Sequence, residues 1–277
     1  MVRVKKFKNG LEYLEVRNLN AVAKIALQGA HIFEYKRSDG DDVLWLSSES
    51  ACEQGSAIRG GIPICWPRFG SFDTALPSHG FARTMLFRFI EAKKIDEGAI
   101  LVTLKLEDNP ASRKIWNYAF ELEVNFMISN TLEIELKTTN KDDKEFMITQ
   151  ALHSYFSVSD IKNVKIFGLE DKPYLDTLTN KHKVQKGEIT FSQEVDRVYQ
   201  EVDNEIQLVD KMKTLRLNAA GSSSAIVWNP WIDKGSRMSG MNKEGYKEFV
   251  CIESANALDD YKVLKAGESH SLKLKID

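Results

Sequence analysis

This sequence predicts an all-β fold, an antiparallel β-sandwich or barrel, on three observations. Apolar residues recur with a period of two, the alternating runs are short and separated by Gly, Asn and Asp turns, and no segment offers three turns of amphipathic helix. The clearest run sets Tyr118, Phe120, Leu122, Val124, Phe126 and Ile128 against Ala119, Glu121, Glu123, Asn125, Met127 and Ser129, which gives one core face and one mostly polar face. After a turn at Ser129-Asn130 the pattern resumes with Leu132, Ile134 and Leu136 against Glu133, Glu135 and Lys137, as a hairpin partner would. Ile100, Val102, Leu104 and Leu106 repeat it, as do Leu272, Leu274 and Ile276. Shorter strands are predicted over 11–16, 21–27, 43–46, 146–151, 164–167, 214–217, 225–228 and 249–253. These are too many strands for an immunoglobulin-sized unit. No linker or repeat divides the chain, and the GSSS at 221–224 reads as a turn between strands, so residues 1–277 are expected to form one domain.

Composition narrows the function. The chain has 277 residues, 43% hydrophobic and 28% charged, and its 38 Lys and Arg nearly balance 40 Asp and Glu. That balance supplies no field for a polyanion, so nucleic acid is not an expected partner. Cys52, Cys65 and Cys251 are odd in number and widely spaced, which argues against a disulfide framework and tetrahedral zinc and fits a reducing cytoplasm. The N-terminal MVRVKKFKNGLEYLEV lacks the apolar stretch of a secretion signal, and no run is long and apolar enough to span a bilayer. A cytoplasmic monomer without membrane association is expected.

One segment stands apart from the strand pattern. Residues 57–83 read AIRGGIPICWPRFGSFDTALPSHGFAR, where prolines 63, 67 and 77 and the Gly60-Gly61 pair exclude a helix or a central strand. Ile58, Ile62, Ile64, Trp66, Phe69, Phe72 and Phe81 supply too much apolar surface for disorder. An ordered loop carrying Arg59, Arg68 and Arg83 suits an anionic ligand, since guanidinium forks grip phosphate or carboxylate bidentately. Arginines that staple a loop through backbone carbonyls are the alternative, and Arg68 is the first candidate for that role.

Few residues can carry chemistry. The histidines at 31, 79, 153, 182 and 270 form no metal-binding spacing, so no metal is expected. His153, in LHSYF, is either an ordinary imidazole with one hydrogen bond or an acid facing a cavity, and its unperturbed pKa near 6.5 suits proton transfer. Glu253 is the one acidic residue between Phe249 and Ser254, with apolar or small neighbours at both strand parities. It either marks a strand end or lies in a cleft where desolvation raises its pKa toward that of a working base. Asp196 beside Arg197 reads as a surface ion pair. Trp228 and Trp231 flank a turn where indoles could stack on a sugar or cap the core. Cys65, between Ile64 and Trp66, reads as a buried, inert thiol. Nucleotide-binding and hydrolase-elbow motifs are absent.

Six motifs in order now carry a resemblance: RGGIPICWPRFG at 59–70, LPSHGFAR at 76–83, ALHSYF at 151–156, VDRVY at 195–199, VWNPW at 227–231 and CIESA at 251–255. Together they resemble the D-hexose-6-phosphate mutarotases (glucose-6-phosphate 1-epimerases), a branch of the aldose 1-epimerase superfamily. The resemblance implies a galactose mutarotase-like supersandwich and cofactor-free interconversion of the α and β anomers of a hexose 6-phosphate, most directly glucose 6-phosphate. It implies His153 as general acid toward the ring oxygen and Glu253 as the base for the anomeric hydroxyl. It further implies Asp196 as holder of sugar hydroxyls, Arg59 and Arg83 as phosphate contacts, and His79 as a second site histidine. The family pattern has glutamine where this chain has Ser78, which therefore stays outside the expected site. Three other functions fit parts of the sequence. A non-catalytic sugar-phosphate sensor would not need both His153 and Glu253, and a mutarotase for unphosphorylated aldoses would leave Arg59 and Arg83 without a partner. A glycoside hydrolase would need two carboxylates flanking one bond.

Overall fold

In a computed structural model, residues 1–38, 40, 42–70, 76–203, 205–211 and 213–277 are described, so Phe72 and the rest of 71–75 in the arginine loop lie outside the described residues. The strongest alternation in the sequence builds one eight-stranded antiparallel sheet. Its order is Lys165–Phe167, Ile206–Val209, Thr214–Ala220, Ser269–Ile276, Leu132–Asn140, Phe120–Ile128, Ala99–Glu107 and Arg88–Asp96. Strand Phe120–Ile128 alternates strictly between buried and half-buried residues, and Tyr118 precedes it in irregular chain. This is the alternating sheet.

A second eight-stranded sheet behaves differently. From one edge it runs Lys181–Val184, Pro173–Asp176, Val195–Tyr199, Ser224–Asn229, Phe249–Asn256, Gln150–Leu152 and Ile64–Cys65, and Tyr155–Ser157 also pairs with Phe249–Asn256. All six residues of Ser224–Asn229 and all eight of Phe249–Asn256 are buried, so this sheet is covered on both faces. Val227, Val250 and Ile252 point into a core shared with Val102, Val124 and Leu136 of the alternating sheet. Leu14, Ala23 and Ile25 join that core from a four-stranded sheet, Val2–Lys6, Glu12–Arg17, Ala21–Ala26 and His31–Arg37. On the opposite face, Ile226, Trp228, Phe249 and Cys251 form a separate apolar layer with Trp45 and Tyr155. Each such aliphatic or aromatic side chain taken from water contributes about 1.5–3 kcal/mol before entropy is counted.

The local exceptions have physical reasons. Residues 43–46, expected as a strand, form only isolated bridges, because Leu44 pairs with Phe156 while Leu46 pairs with Gly60. The run expected over 146–151 divides. Phe146–Ile148 pairs with Lys262–Leu264, whereas Gln150–Leu152 joins the doubly covered sheet. The turn expected over 221–224 spans 221–223 and carries the chain from Thr214–Ala220 in one sheet to Ser224–Asn229 in the other, with Ser224 already paired to Ala255. Among the described residues, helix is confined to Pro110–Ile115, Trp231–Gly235 and four short 3-10 turns, and no helix is long and apolar enough to cross a membrane.

Candidate active site

The arginine loop is locked to the doubly covered sheet by its backbone. Between Pro63 and Pro67 only Ile64–Cys65 pairs as a strand, at the sheet edge beside Gln150–Leu152. Gly60 and Gly61 have φ of 108° and 64°, and a Cβ would lie 2.4 Å from the Trp45 carbonyl in the first case and from the Ile32 carbonyl in the second. Glycine is therefore required twice over, by conformation and by close approach. Buried His31 fixes the same turn, its Nε2–H donating to the Gly60 carbonyl at 2.7 Å. Burial lowers its pKa to about 4, so the ring is neutral at neutral pH.

The next turn places His153. Its backbone N–H donates to the Pro63 carbonyl at 3.0 Å, and its ring stacks on Tyr155 with centroids 4.8 Å apart and planes 5° from parallel. Trp228 meets the same ring edge-on at 5.9 Å, and the His79 ring lies 5.8 Å away. Glu253 stands in mid-strand on the face of Phe249 and Cys251, opposite Ile226 on the neighbouring strand. Its side chain is 2% exposed. His153 Nδ1 lies 3.3 Å from Glu253 Oε1, within ion-pair reach but without the alignment of a hydrogen bond. Among the described residues, His153 Nδ1, Glu253 Oε2 and Arg59 Nε are buried without a hydrogen-bond partner.

All six residues expected from sequence, Arg59, His79, Arg83, His153, Asp196 and Glu253, line one cavity of about 350 Å³. Tyr155, Trp228, Lys234, Phe69 and Met238 complete much of its wall. The guanidinium of Arg59 reaches the Ser239 carbonyl at 3.3 Å, and that of Arg83 reaches the Ser78 carbonyl at 2.8 Å. Both bonds are exposed, so an anion could replace them without leaving a buried carbonyl bare. Arg68 turns away and donates to the Met147 carbonyl at 2.7 Å, outside this cavity. Trp231 also leaves the site, packing on Tyr246. Cys65 and Cys251 are free and buried, and burial pushes both thiols up, away from thiolate.

Sequence reasoning missed Lys234. It sits on the short helix Trp231–Gly235, with Nζ 2.8 Å from Glu194 Oε1 and 3.7 Å from Asp196 Oδ2. A lysine three residues beyond the VWNPW motif was the available signal, but nothing local says which way it points.

The cavity separates its titratable groups. Burial, reinforced by the Asp196 carboxylate, pushes Glu253 well above the ordinary carboxylate range. Burial, then the charges of His79, Arg83 and Arg59, hold His153 well below the ordinary imidazole range. His79 is lowered to about 4 by burial and the same two arginines. Asp196 is raised by burial against the opposing pull of Lys234. Such an arrangement, an acid and a base in contact at one end and guanidinium groups nearby, can move protons on a polar ligand whose anionic group it grips. No cluster of three or more metal-ligating side chains occurs among the described residues.

The chain is similar to known proteins. The aldose 1-epimerase family profile matches residues 12–277. A Salmonella typhimurium protein with the provisional name glucose-6-phosphate 1-epimerase is 37% identical over 252 residues, covering 89% of this chain and 84% of its own length. A Cenchrus ciliaris protein of the same provisional name is 36% identical over 279 residues, covering 94% and 82%. The crystal structure of a provisionally assigned mutarotase from Salmonella typhimurium superposes with a TM-score of 0.93 at 34% identity, over 99% of this chain and 92% of that one. The chain belongs to the aldose 1-epimerase family.

Proposed function

We propose that this protein interconverts the α and β anomers of a hexose 6-phosphate, glucose 6-phosphate first, with residues 1–277 acting as one domain. The observation that carries the proposal is the buried pair His153 and Glu253, 3.3 Å apart with unsatisfied polar atoms, in a cavity that Arg59 and Arg83 also line. The provisional names of the relatives support the same substrate class.

The chemistry follows from the hemiacetal. Glu253 removes the proton from O1 while His153 delivers one to O5, the C1–O5 bond breaks and C1=O1 forms. After rotation about C1–C2, O5 attacks the other face of C1. His153 then takes back the O5 proton and Glu253 returns one to O1, so both groups are restored. The pair thus alternates between carboxylate with imidazolium and carboxylic acid with neutral imidazole. Burial in the cavity favours the second state, with the proton on Glu253. A phosphate bound by Arg59 and Arg83 would neutralise two charges that hold His153 down, raising it toward the range in which an imidazolium donates. The arginines in this reading select the substrate and also ready the acid. Asp196 receives hydrogen bonds from sugar hydroxyls, and His79 closes the wall beside His153.

The test is NMR exchange spectroscopy on the anomers of glucose 6-phosphate and of glucose. Strong acceleration for the phosphate and weak acceleration for glucose is expected. Equal acceleration of both would remove the phosphate role, and none for either would leave a sugar-phosphate sensor.

A further inference from the structure

Lys234 is the cationic group of the cavity to which the proposed reaction gives no task. Its place is fixed by strand and helix together. Buried Asn229 donates to the Tyr246 and Phe249 carbonyls at 2.8 and 2.9 Å and accepts from the Trp231 backbone at 2.9 Å, which holds the start of helix Trp231–Gly235 against the doubly covered sheet. From that helix the Lys234 ammonium lies 2.8 Å from Glu194, 3.7 Å from Asp196 and 5.8 Å from the ring centroid of Trp228.

We propose that Lys234 is a positioning residue for substrate capture: held by Glu194 beside Asp196, its ammonium keeps Asp196 an anionic, acceptor-only group for the sugar hydroxyls. This rests on the reading of the cavity as a hexose-phosphate site. The groups facing Asp196 are Lys234 from the helix, Glu194 near the start of its own strand, Thr177 from the adjoining turn, and Glu253 and the Cys251 thiol from strand Phe249–Asn256. Glu194 and Glu253 are both acidic, and Cys251 remains a thiol because burial pushes it up. Lys234 is therefore the cation in this set. A protonated Asp196 would spend one oxygen as a donor and lose its charge-assisted bonds to hydroxyls.

The experiment compares wild type, Lys234→Met and Lys234→Arg. The Asp196 carboxyl is titrated by carbon-13 NMR in the ligand-free protein, and KM for glucose 6-phosphate and for glucose is measured against pH. The Lys234 side chain is 41% exposed, so its replacement opens no core cavity, and solvent weakens its pull to the low end of what a close opposite charge exerts. The expected result in Lys234→Met is an upward displacement of the Asp196 titration by about one pH unit. The acid limb of KM should move with it, giving up to about tenfold larger KM on the acid side, and Lys234→Arg should restore both. An unmoved Asp196 titration overturns the proposal. So does a KM raised equally at every pH for the phosphate alone, which would make Lys234 a direct phosphate ligand. Absence of exchange by the wild type with any sugar phosphate would instead defeat the hexose-phosphate reading, while the carboxyl titration still decides whether Lys234 governs Asp196.

Discussion

Strands Phe120–Ile128 and Phe249–Asn256 lie in two sheets that share a core, yet they treat a glutamate on the outward face in opposite ways. On the first, Glu123 is half-buried beside water. Burial alone would raise its pKa, but Lys105 at 2.9 Å and Asn125 outweigh that and hold it low. On the second, Glu253 has an apolar layer around it, and burial, reinforced by the Asp196 carboxylate, pushes it up. The residue type and the strand parity are the same. What differs is the cover: the arginine loop and the 231–248 segment overlie one sheet and exclude the solvent that makes a carboxylate ordinary.

This contrast is open to test. After loss of the base itself, the largest effect is expected for His153→Asn, which should lower kcat for anomer exchange about 1000-fold with little change in KM, as loss of a general acid does. Next, Arg83→Ala should raise KM for glucose 6-phosphate about 10- to 100-fold, the range for one or two charged hydrogen bonds, and leave KM for glucose almost unchanged. In stability, Glu253→Gln should make the ligand-free protein more stable by about 1–2 kcal/mol at pH 8, because glutamine is already neutral, whereas Glu253 must take up a proton or bury its charge. The sign follows from linkage. The folded pKa of Glu253 lies above its unfolded value, so the folded state holds the extra proton between them, and wild-type stability falls as pH rises through that window. The advantage of Glu253→Gln in denaturant titrations should therefore grow from pH 5 to 8. A smaller effect is expected for Asp196→Asn, where removing the neighbouring charge should move the acid limb of kcat downward by about one pH unit. Smallest of all, Glu123→Gln on the alternating sheet should leave kcat and KM unchanged and alter stability by at most about 0.5 kcal/mol.

The same contrast explains what was readable in the sequence. The alternating sheet was legible because one face meets water, so Leu122, Val124 and Phe126 alternate with Glu121, Glu123 and Asn125. Edge strands were not. Val2–Lys6 and Lys181–Val184 bury almost nothing, and their charged residues carry no periodicity. Arg88–Asp96 is likewise an edge with mostly exposed residues. Glu253 was legible because an ionisable residue among apolar neighbours at both parities needs a cavity. His153 and the two arginines gained their joint meaning from the order of six motifs, whereas their convergence is produced by non-local pairings such as Cys65 with Ala151. Lys234 escaped because its contacts with Glu194 and Asp196 span 40 and 38 positions, and a lysine on a short helix has no local signature for facing a site.

The most direct test of the account is the exchange rate between the anomers of glucose 6-phosphate with Glu253→Gln set beside wild type, each protein first shown to bind the sugar phosphate by calorimetry. Equal binding within a few-fold and exchange reduced to near the uncatalysed rate are expected for Glu253→Gln. Full exchange activity in a folded Glu253→Gln protein would contradict the account.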